Sequence, residues 1–302
     1  MTAPEVSVII PTYRSERTIA GSLESLRAQR FADFEAVVVD SSPDAATGRI
    51  VRERFPEVRC EHSNRRLLPH DARNRGVELS CGELLVFTDP DVYPHPRWLE
   101  TLVESHWATG CITVGAIACY GRRWVDIGSH LCKFSTWLPG GRSRSVDNAP
   151  TANLLCPRSL FLKIGRFPPE QLLGDTSFSW DARALGHELR FEPRAVVVHD
   201  HGQSLRTLLK ERYDRGVLFL QLRADRYGNR RPLHLTYLLV SVIPVRLARI
   251  LALTTARCWH ASLLADLART LPLVALGHAA SLAGECRTYA ARLAGISETL
   301  RS

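Results

Sequence analysis

Short apolar runs rich in β-branched residues alternate with amphipathic stretches through the first ninety or so residues. That alternation constrains the fold more than any other feature of the chain. Val6-Ser7-Val8-Ile9-Ile10-Pro11 is stopped by proline, and residues 15–29 follow with Ile19, Leu23 and Leu26 at helical spacing. Residues 34–39 form a second run closed by Asp40, and the Ser41-Ser42-Pro43-Asp44 loop leads to a helix through Ile50 and Val51 that ends before Pro56. Residues 58–61 predict a third strand, 72–79 a helix and 84–87 a fourth strand. Strands alternating with helices in this way imply a mainly parallel sheet covered on both faces. Ligands of such sheets bind at the carboxyl ends of the strands. Tyr13, Asp40 and Asp89-Pro90-Asp91 all stand at such ends, so they are expected to converge on one crevice.

Asp89 and Asp91, one residue apart after the buried run Leu84-Leu85-Val86-Phe87, offer hard oxygen ligands suited to Mg²⁺ or Mn²⁺, the ions that hold diphosphates. Asp-Pro-Asp is also ordinary turn chemistry, and the triplet alone does not separate the two.

Beyond residue 106 the pattern loosens. Residues 107–144 carry aromatic and basic side chains, including Arg122-Arg123-Trp124 and Trp137, and a turn-rich stretch at 139–144, which suggests a substrate-facing or mobile segment. Regularity returns with residues 151–155, a helix over about 177–185 and a strand over 195–198 ended by His199. After about Gln203 the composition changes. Residues 204–302 hold 15 Lys+Arg against 6 Asp+Glu, whereas residues 1–203 hold 24 against 25, so the tail carries +9 and the body −1. Residues 232–245 and 270–284 are uncharged apolar runs, shorter than the roughly 20 residues needed to span a bilayer. Arg246, Arg249, Arg257 and Arg269 lie between them. Such a pattern suits helices in a membrane interface, the preferred reading, and the alternative is a helical pair packed on the body or, in a homodimer, on a second subunit. The eight cysteines show neither a CxxC pair nor regular spacing, so neither a zinc site nor a disulfide framework is expected.

Taken in order, these pieces resemble the family 2 glycosyltransferases, inverting enzymes of the nucleotide-diphospho-sugar transferase fold termed GT-A. Residues 6–13 resemble the opening strand and donor loop, and Val37-Val38-Val39-Asp40-Ser41-Ser42 the second strand with its acidic stop. Ala72-Arg73-Asn74-Arg75-Gly76, then Gly82-Glu83 and residues 84–91, resemble the approach to the DxD motif. Thr151-Ala152-Asn153-Leu154, Gly165-Arg166-Phe167, Gly174-Asp175 and residues 193–199 follow in the order of the acceptor half. The resemblance covers about residues 5–203 and implies an α/β, Rossmann-like mixed sheet with helices on both faces, followed by a C-terminal helical extension. The domains expected are a catalytic domain at 1–203, with a nucleotide-sugar half at 1–105 and an acceptor half at 106–203, and a basic helical region at 204–302.

Three departures stand out. Gly174-Asp175 replaces the usual Glu-Asp, Gly165-Arg166-Phe167-Pro168 replaces Gly-Gly-Phe-Asp, and no Gln-x-x-Arg-Trp follows Asp175. The last feature marks processive synthases, so a single transfer is expected.

Inverting transfer needs a base for the acceptor hydroxyl and a cation for the leaving diphosphate. The resemblance implies Asp175 as base, although as the start of a helix it also suits a cap for Ser177 or Phe178. It implies Asp91 as direct metal ligand, Asp89 as contact to ribose or metal-bound water, and His199 near the metal, with His201 the fallback. Pro11, Thr12 and Tyr13 lie where a nucleobase would sit, Tyr13 offering a stacking face. Asp40 can accept from the imide of uracil or thymine, which favours UDP or dTDP donors and leaves GDP open. Arg73 is placed to reach the diphosphate, or stands on a solvated helix face, and Asn74 to brace the loop. Trp124, Trp137 and Asn153 are the acceptor-binding candidates, the tryptophans being equally suited to core.

A nucleotidyltransferase would call for a Gly-rich basic loop after the first strand, and this chain has Pro11-Thr12-Tyr13-Arg14-Ser15-Glu16 instead. A non-catalytic membrane scaffold of the same fold draws only on the departures at Gly174 and Arg166. No nucleic-acid partner is expected, because the basic tail sits on apolar runs without interleaved aromatics. The opening Met1-Thr2-Ala3-Pro4-Glu5 lacks a basic leader, so a cytoplasmic protein at the inner face of the membrane is expected, acting on a glycan or lipid-linked acceptor of the cell envelope.

Overall fold

The computed structural model describes residues 3–202, 204–228, 235–236, 244–294 and 296. These residues form two compact units, one of Met1–Ala118 with Pro139–Asp200 and one of Cys119–Leu138 with His201–Ser302.

The first unit is built on a nine-stranded mixed sheet. Its strands are β1 (Val6–Thr12), β2 (Phe34–Asp40), β3 (Arg59–His62), β4 (Leu84–Phe87), β5 (Val92–Pro94), β6 (Ile112–Cys119), β7 (Arg144–Val146), β8 (Leu154–Pro157) and β9 (Leu189–His199), in the order β3-β2-β1-β4-β8-β6-β9-β5 with β7 beside β9. The half from β3 to β4 is parallel, as the alternating sequence predicts. Strand β8 then runs antiparallel to β4, and β5 antiparallel to β9, giving the mixed sheet. All seven residues of β1 are buried, which is why its sequence reads as an almost unbroken apolar run. Of its two hydroxyls, Ser7 donates to Glu35 at 2.7 Å and accepts from the Gly82 amide at 2.8 Å, and Thr12 donates to Asp40 at 3.2 Å, so the polarity of both is matched.

The helices of this unit are α1 (Ile19–Arg27), α2 (Ala46–Arg54), α3 (Pro69–Leu79), α4 (Trp98–Thr109), α6 (Arg158–Ile164) and α7 (Gly174–Ala184), with α5 (Trp124–Phe134) in the second unit. Pro69 opens α3, where its missing N–H and fixed φ suit a first turn. Phe87, Phe161, Phe167 and Phe178 pack as one aromatic cluster with centroids 5.0 to 5.4 Å apart, joining β4, α6 and α7.

One segment departs from expectation. Residues 107–144 contain the buried strand β6 and helix α5 rather than one loose excursion. Strand β6 pairs with β8 inside the sheet, and its small residues, Gly115 and Ala116, weakened the strand signal.

In the second unit α5 and a short 3₁₀ turn (Ser135–Trp137) join α8 (Leu205–Tyr227), α9 (Pro244–His260) and α10 (Leu264–Leu293). The unit therefore takes in residues 119–138 as well as the tail. Leu131, Leu138, Cys258, Leu267 and Val274 form its core. Helices α8 and α10 meet backbone to backbone, since a Cβ added at Gly216 would lie 2.0 Å from the Ser281 carbonyl oxygen and one at Gly284 2.2 Å from that of Tyr213. The apolar run 270–284 lies within α10, whereas 232–245 falls largely outside the described residues, as does Gln203. Among the described residues no helix is long and apolar enough to cross a membrane.

Candidate active site

The sheet brings Asp89, Asp91 and His199 together. Strand β4 ends at Phe87 and the chain turns through Asp89 and Asp91 into β5, where Val92 is register partner of His199 at the end of β9. The Asp200 amide donates to the Asp91 carbonyl at 2.9 Å, so a backbone ladder fixes Asp91 beside His199 although 108 positions separate them. One ligand atom from each of Asp89, Asp91 and His199 lies within 4.8 Å of the others, and His199 Nδ1 stands 3.8 Å from Asp91 Oδ2. Two carboxylates and an imidazole are a suitable set for Mn²⁺ or Mg²⁺ with places left for diphosphate oxygens. Burial pushes the Asp91 carboxyl above the usual aspartate range; His199 opposes that shift, and Asp89 and Asp200 reinforce it. A divalent cation would relieve this crowding of negative charge.

Arg73 of α3 pairs with Asp89 Oδ1. Its side chain is only 4% exposed, so the solvated-face reading is wrong for Arg73; that reading fits Arg75, which is exposed and bridges Glu61 and Glu78. Asn74 braces a loop, donating to the Phe167 carbonyl at 2.8 Å and accepting from its amide at 3.2 Å, rather than facing a nucleotide.

On the donor side, Pro11 and Thr12 finish β1 as buried strand residues, and Tyr13 is exposed at its end with Arg66 stacked 4.7 Å from the ring centroid. Asp40 is placed differently from expectation. It is fully buried, with Oδ1 accepting from Thr12 Oγ1 at 3.2 Å, the Ser42 amide at 3.0 Å and Ser42 Oγ at 2.6 Å. Its Oδ2 accepts from the Gly48 amide at 3.0 Å and lies 3.3 Å from His62 Nδ1. In this conformation Asp40 ties together the ends of β1, β2 and β3 and the start of α2, and its carboxylate does not face a base.

Asp175 is half-buried in the first turn of α7, with Leu173 as N-cap residue. Its Oδ1 accepts from the amide of Thr176 at 2.7 Å, and it does not cap Ser177, whose amide donates to the Leu173 carbonyl. The first turn thus holds the carboxylate through the Thr176 amide. Against Gly174 packs His70, an unforeseen residue: a Cβ at position 174 would lie 2.8 Å from the imidazole carbons. Desolvation lowers the His70 pKa to about 4, helped by Arg73 and opposed by Asp175 and Asp89, so the ring is neutral at pH 7 and sits in the field of both acids. The departure at Gly174 therefore has a steric reason. A glycine in the first turn of a helix, where propensity disfavours it, was the available signal. Also unforeseen is the 2.8 Å pair of Arg17 with Asp200 beside His199.

Asn153 is wholly buried. Its Oδ1 accepts from Trp98 Nε1 at 2.8 Å and its Nδ2 donates to the Ala116 and Ala195 carbonyls at 2.9 Å, so it cross-links three elements instead of meeting an acceptor. In the second unit Trp124 is 41% exposed with Nε1 donating to the Arg269 carbonyl at 2.7 Å, and Trp137 packs edge-on against Phe134. His201, the fallback ligand, belongs to that unit as well, with Nε2 3.0 Å from His130 Nδ1. The eight cysteines are free thiols.

A half-parallel mixed sheet with an acid–acid–histidine cluster at its strand ends is the arrangement of a transferase of the GT-A fold. The glycosyl transferase family 2 model matches residues 7–163, and the chain belongs to that family. It is a glycosyltransferase. It is 28% identical over 259 residues to the glycosyltransferase AglE of Haloferax volcanii, covering 80% of this chain and 83% of that one. It is 26% identical to the pre-mycofactocin glycosyltransferase of Mycobacterium tuberculosis over 67% of this chain, but spans only 44% of that protein's length. The mannosyltransferase of Pyrobaculum calidifontis solved with GDP-Man and Mn²⁺ superposes with a TM-score of 0.56 at 22% identity, over 90% of this chain and 87% of that one, which shows the shared fold.

Proposed function

We propose that the chain transfers one sugar, with inversion, from a nucleotide-diphospho-sugar to an acceptor hydroxyl, with Mn²⁺ or Mg²⁺ at Asp89, Asp91 and His199. The observation that carries this is the gathering of those three side chains by the β5–β9 ladder at the carboxyl end of β4. The cation offsets charge on the departing diphosphate, a contribution typically of several kcal/mol. Arg73 orients Asp89, and Asp175, half-buried at a helix start, takes the acceptor proton. Tyr13, exposed and backed by Arg66, offers a stacking face for the base. The preference for UDP and dTDP donors rests on Asp40, whose buried carboxylate is matched inside the protein, so UDP, dTDP and GDP donors enter the screen on equal terms. The test is Mn²⁺-dependent nucleoside diphosphate release from UDP-glucose, dTDP-glucose and GDP-mannose, with Asp175→Asn as the inactive control.

We also propose that the second unit meets an anionic membrane from the cytoplasmic side, which suits a lipid-linked or cell-envelope acceptor. Supporting this, Val245, Ala248, Ala252, Ala256 and Trp259 recur on one face of α9, all exposed, with Arg249 alongside. Val245 and Trp259 are 68% and 69% exposed. An apolar stripe in a segment of net charge +9 suits an interface of lipid headgroups. Solution dimerisation through this stripe is the competing outcome.

A further inference from the structure

The N-cap residue of α7, Leu173, makes no side-chain cap, and the Thr176 amide of the first turn is met by Asp175 itself, which ties the carboxylate to the turn but not the turn to the rest of the protein. The position of that turn therefore depends on what packs against it. That contact is His70, 4% exposed in the first turn of α3, with its ring centroid 4.8 Å from that of Phe167 on the other side. Phe167 is itself fixed by the two backbone bonds to Asn74, again from α3. Gly174 has ordinary helical φ, so glycine is required here for space and not for conformation. Any side chain at 174 would displace either the imidazole or the turn that carries Asp175.

We propose that His70 is a positioning residue for Asp175, its ring filling the notch opened by Gly174 and so fixing the carboxylate where the acceptor hydroxyl is deprotonated. The inference rests on the reading of Asp175 as base. His70 is neutral at working pH and acts through shape: it fills volume between α3 and α7 that neither helix can close by itself. Its Nδ1 has no hydrogen-bond partner among the described residues, and a hydrogen bond from the ring to the Leu172 backbone, just before α7, adds to the packing contact.

The experiment is a double-mutant cycle on the full chain with Mn²⁺ and whichever of UDP-glucose, dTDP-glucose and GDP-mannose is turned over. His70→Ala and Gly174→Ala are each expected to lower kcat by about tenfold or more, since sub-ångström to ångström displacement of a reacting group costs that much. Donor Kd by calorimetry stays within about twofold, because the donor contacts lie elsewhere. The double variant is expected to be no worse than His70→Ala alone, because the added methyl enters the vacated space. His70→Phe, which keeps the ring volume, retains most of kcat and reads the same claim if the alanine variant does not fold. Unchanged kcat in both single variants, additive losses in the double variant, a fall in donor affinity matching the fall in kcat, or a His70→Phe enzyme as impaired as His70→Ala would each overturn the proposal. Asp175→Asn, run alongside, separates the two levels: full turnover there removes the base reading itself, whereas a dead Asp175→Asn with fully active His70 and Gly174 variants removes only the positioning role.

Discussion

The guanidinium of Arg73, 4% exposed, is paired with Asp89 Oδ1, so one carboxylate of the Asp89, Asp91 and His199 cluster is oriented by a buried cation from α3. Its Nε has no hydrogen-bond partner among the described residues, which leaves the Asp89 contact as the main compensation for burying this charge. Asp89→Asn should therefore destabilise the fold, by about 3 kcal/mol, by leaving the buried charge uncompensated. Asp91→Ala, which strands no cation, should cost less stability and at least as much activity. Urea denaturation of both variants without metal checks the order; a more stable Asp89→Asn protein would contradict it.

The parallel half of the sheet could be read from the sequence because each strand there is a nearly continuous apolar run and each helix has its own period. The antiparallel half was less legible. Strand β6 is diluted by Gly115 and Ala116, and the pairing of β5 with β9 joins segments more than 100 residues apart, a relation no local pattern encodes. Asp89, Asp91 and His199 could be named because motif order carries them, while the bridge from Arg73 to Asp89 and the packing of His70 on Gly174 depend on how α3 and α7 sit. Asp40 and Asn153 show the opposite failure. The chemistry of Asp40 and the motif around Asn153 suit ligand contacts, yet both side chains are buried with their polar atoms matched inside the protein.

Asp175→Asn should abolish transfer and leave nucleotide binding nearly intact, because a base acts in the transition state while the nucleotide is held by other residues. Calorimetry of donor binding beside turnover measures both. Full turnover with asparagine would reduce Asp175 to a structural residue of α7.

His278 in α10 is 7% exposed, and burial, with Arg212 and Arg257 nearby, lowers its pKa to about 4 from an ordinary 6.5. The neutral ring is favoured in the folded state, so its contribution is fully present above pH 6.5 and is lost as pH falls towards 4. Between pH 7 and 5 the wild type should lose about 2 kcal/mol through this group that His278→Leu does not lose. His70 shifts in the same direction in both proteins and cancels in the difference. Parallel melting curves as a function of pH would contradict the assignment.

Trp259→Glu combined with Val245→Glu places two charges on the exposed stripe of α9 and should abolish flotation of the full chain with vesicles containing phosphatidylserine. Salt should weaken wild-type binding without removing it, since screening acts on the arginines and not on apolar insertion. A wild-type protein that stays soluble as a dimer with both neutral and anionic vesicles would assign the stripe to self-association.

On the proposed function, a divalent cation at Asp89, Asp91 and His199 links the protein to the diphosphate of its donor. The most direct measurement is the melting temperature of wild type and Asp91→Ala with UDP-glucose, dTDP-glucose and GDP-mannose, each with Mn²⁺ and with EDTA. One donor at 100-fold its Kd should stabilise the wild type by about 2.7 kcal/mol with Mn²⁺, and should give little or no shift in EDTA or in Asp91→Ala. A donor-induced shift of the same size in EDTA, or in the Asp91→Ala protein with Mn²⁺, would contradict the account.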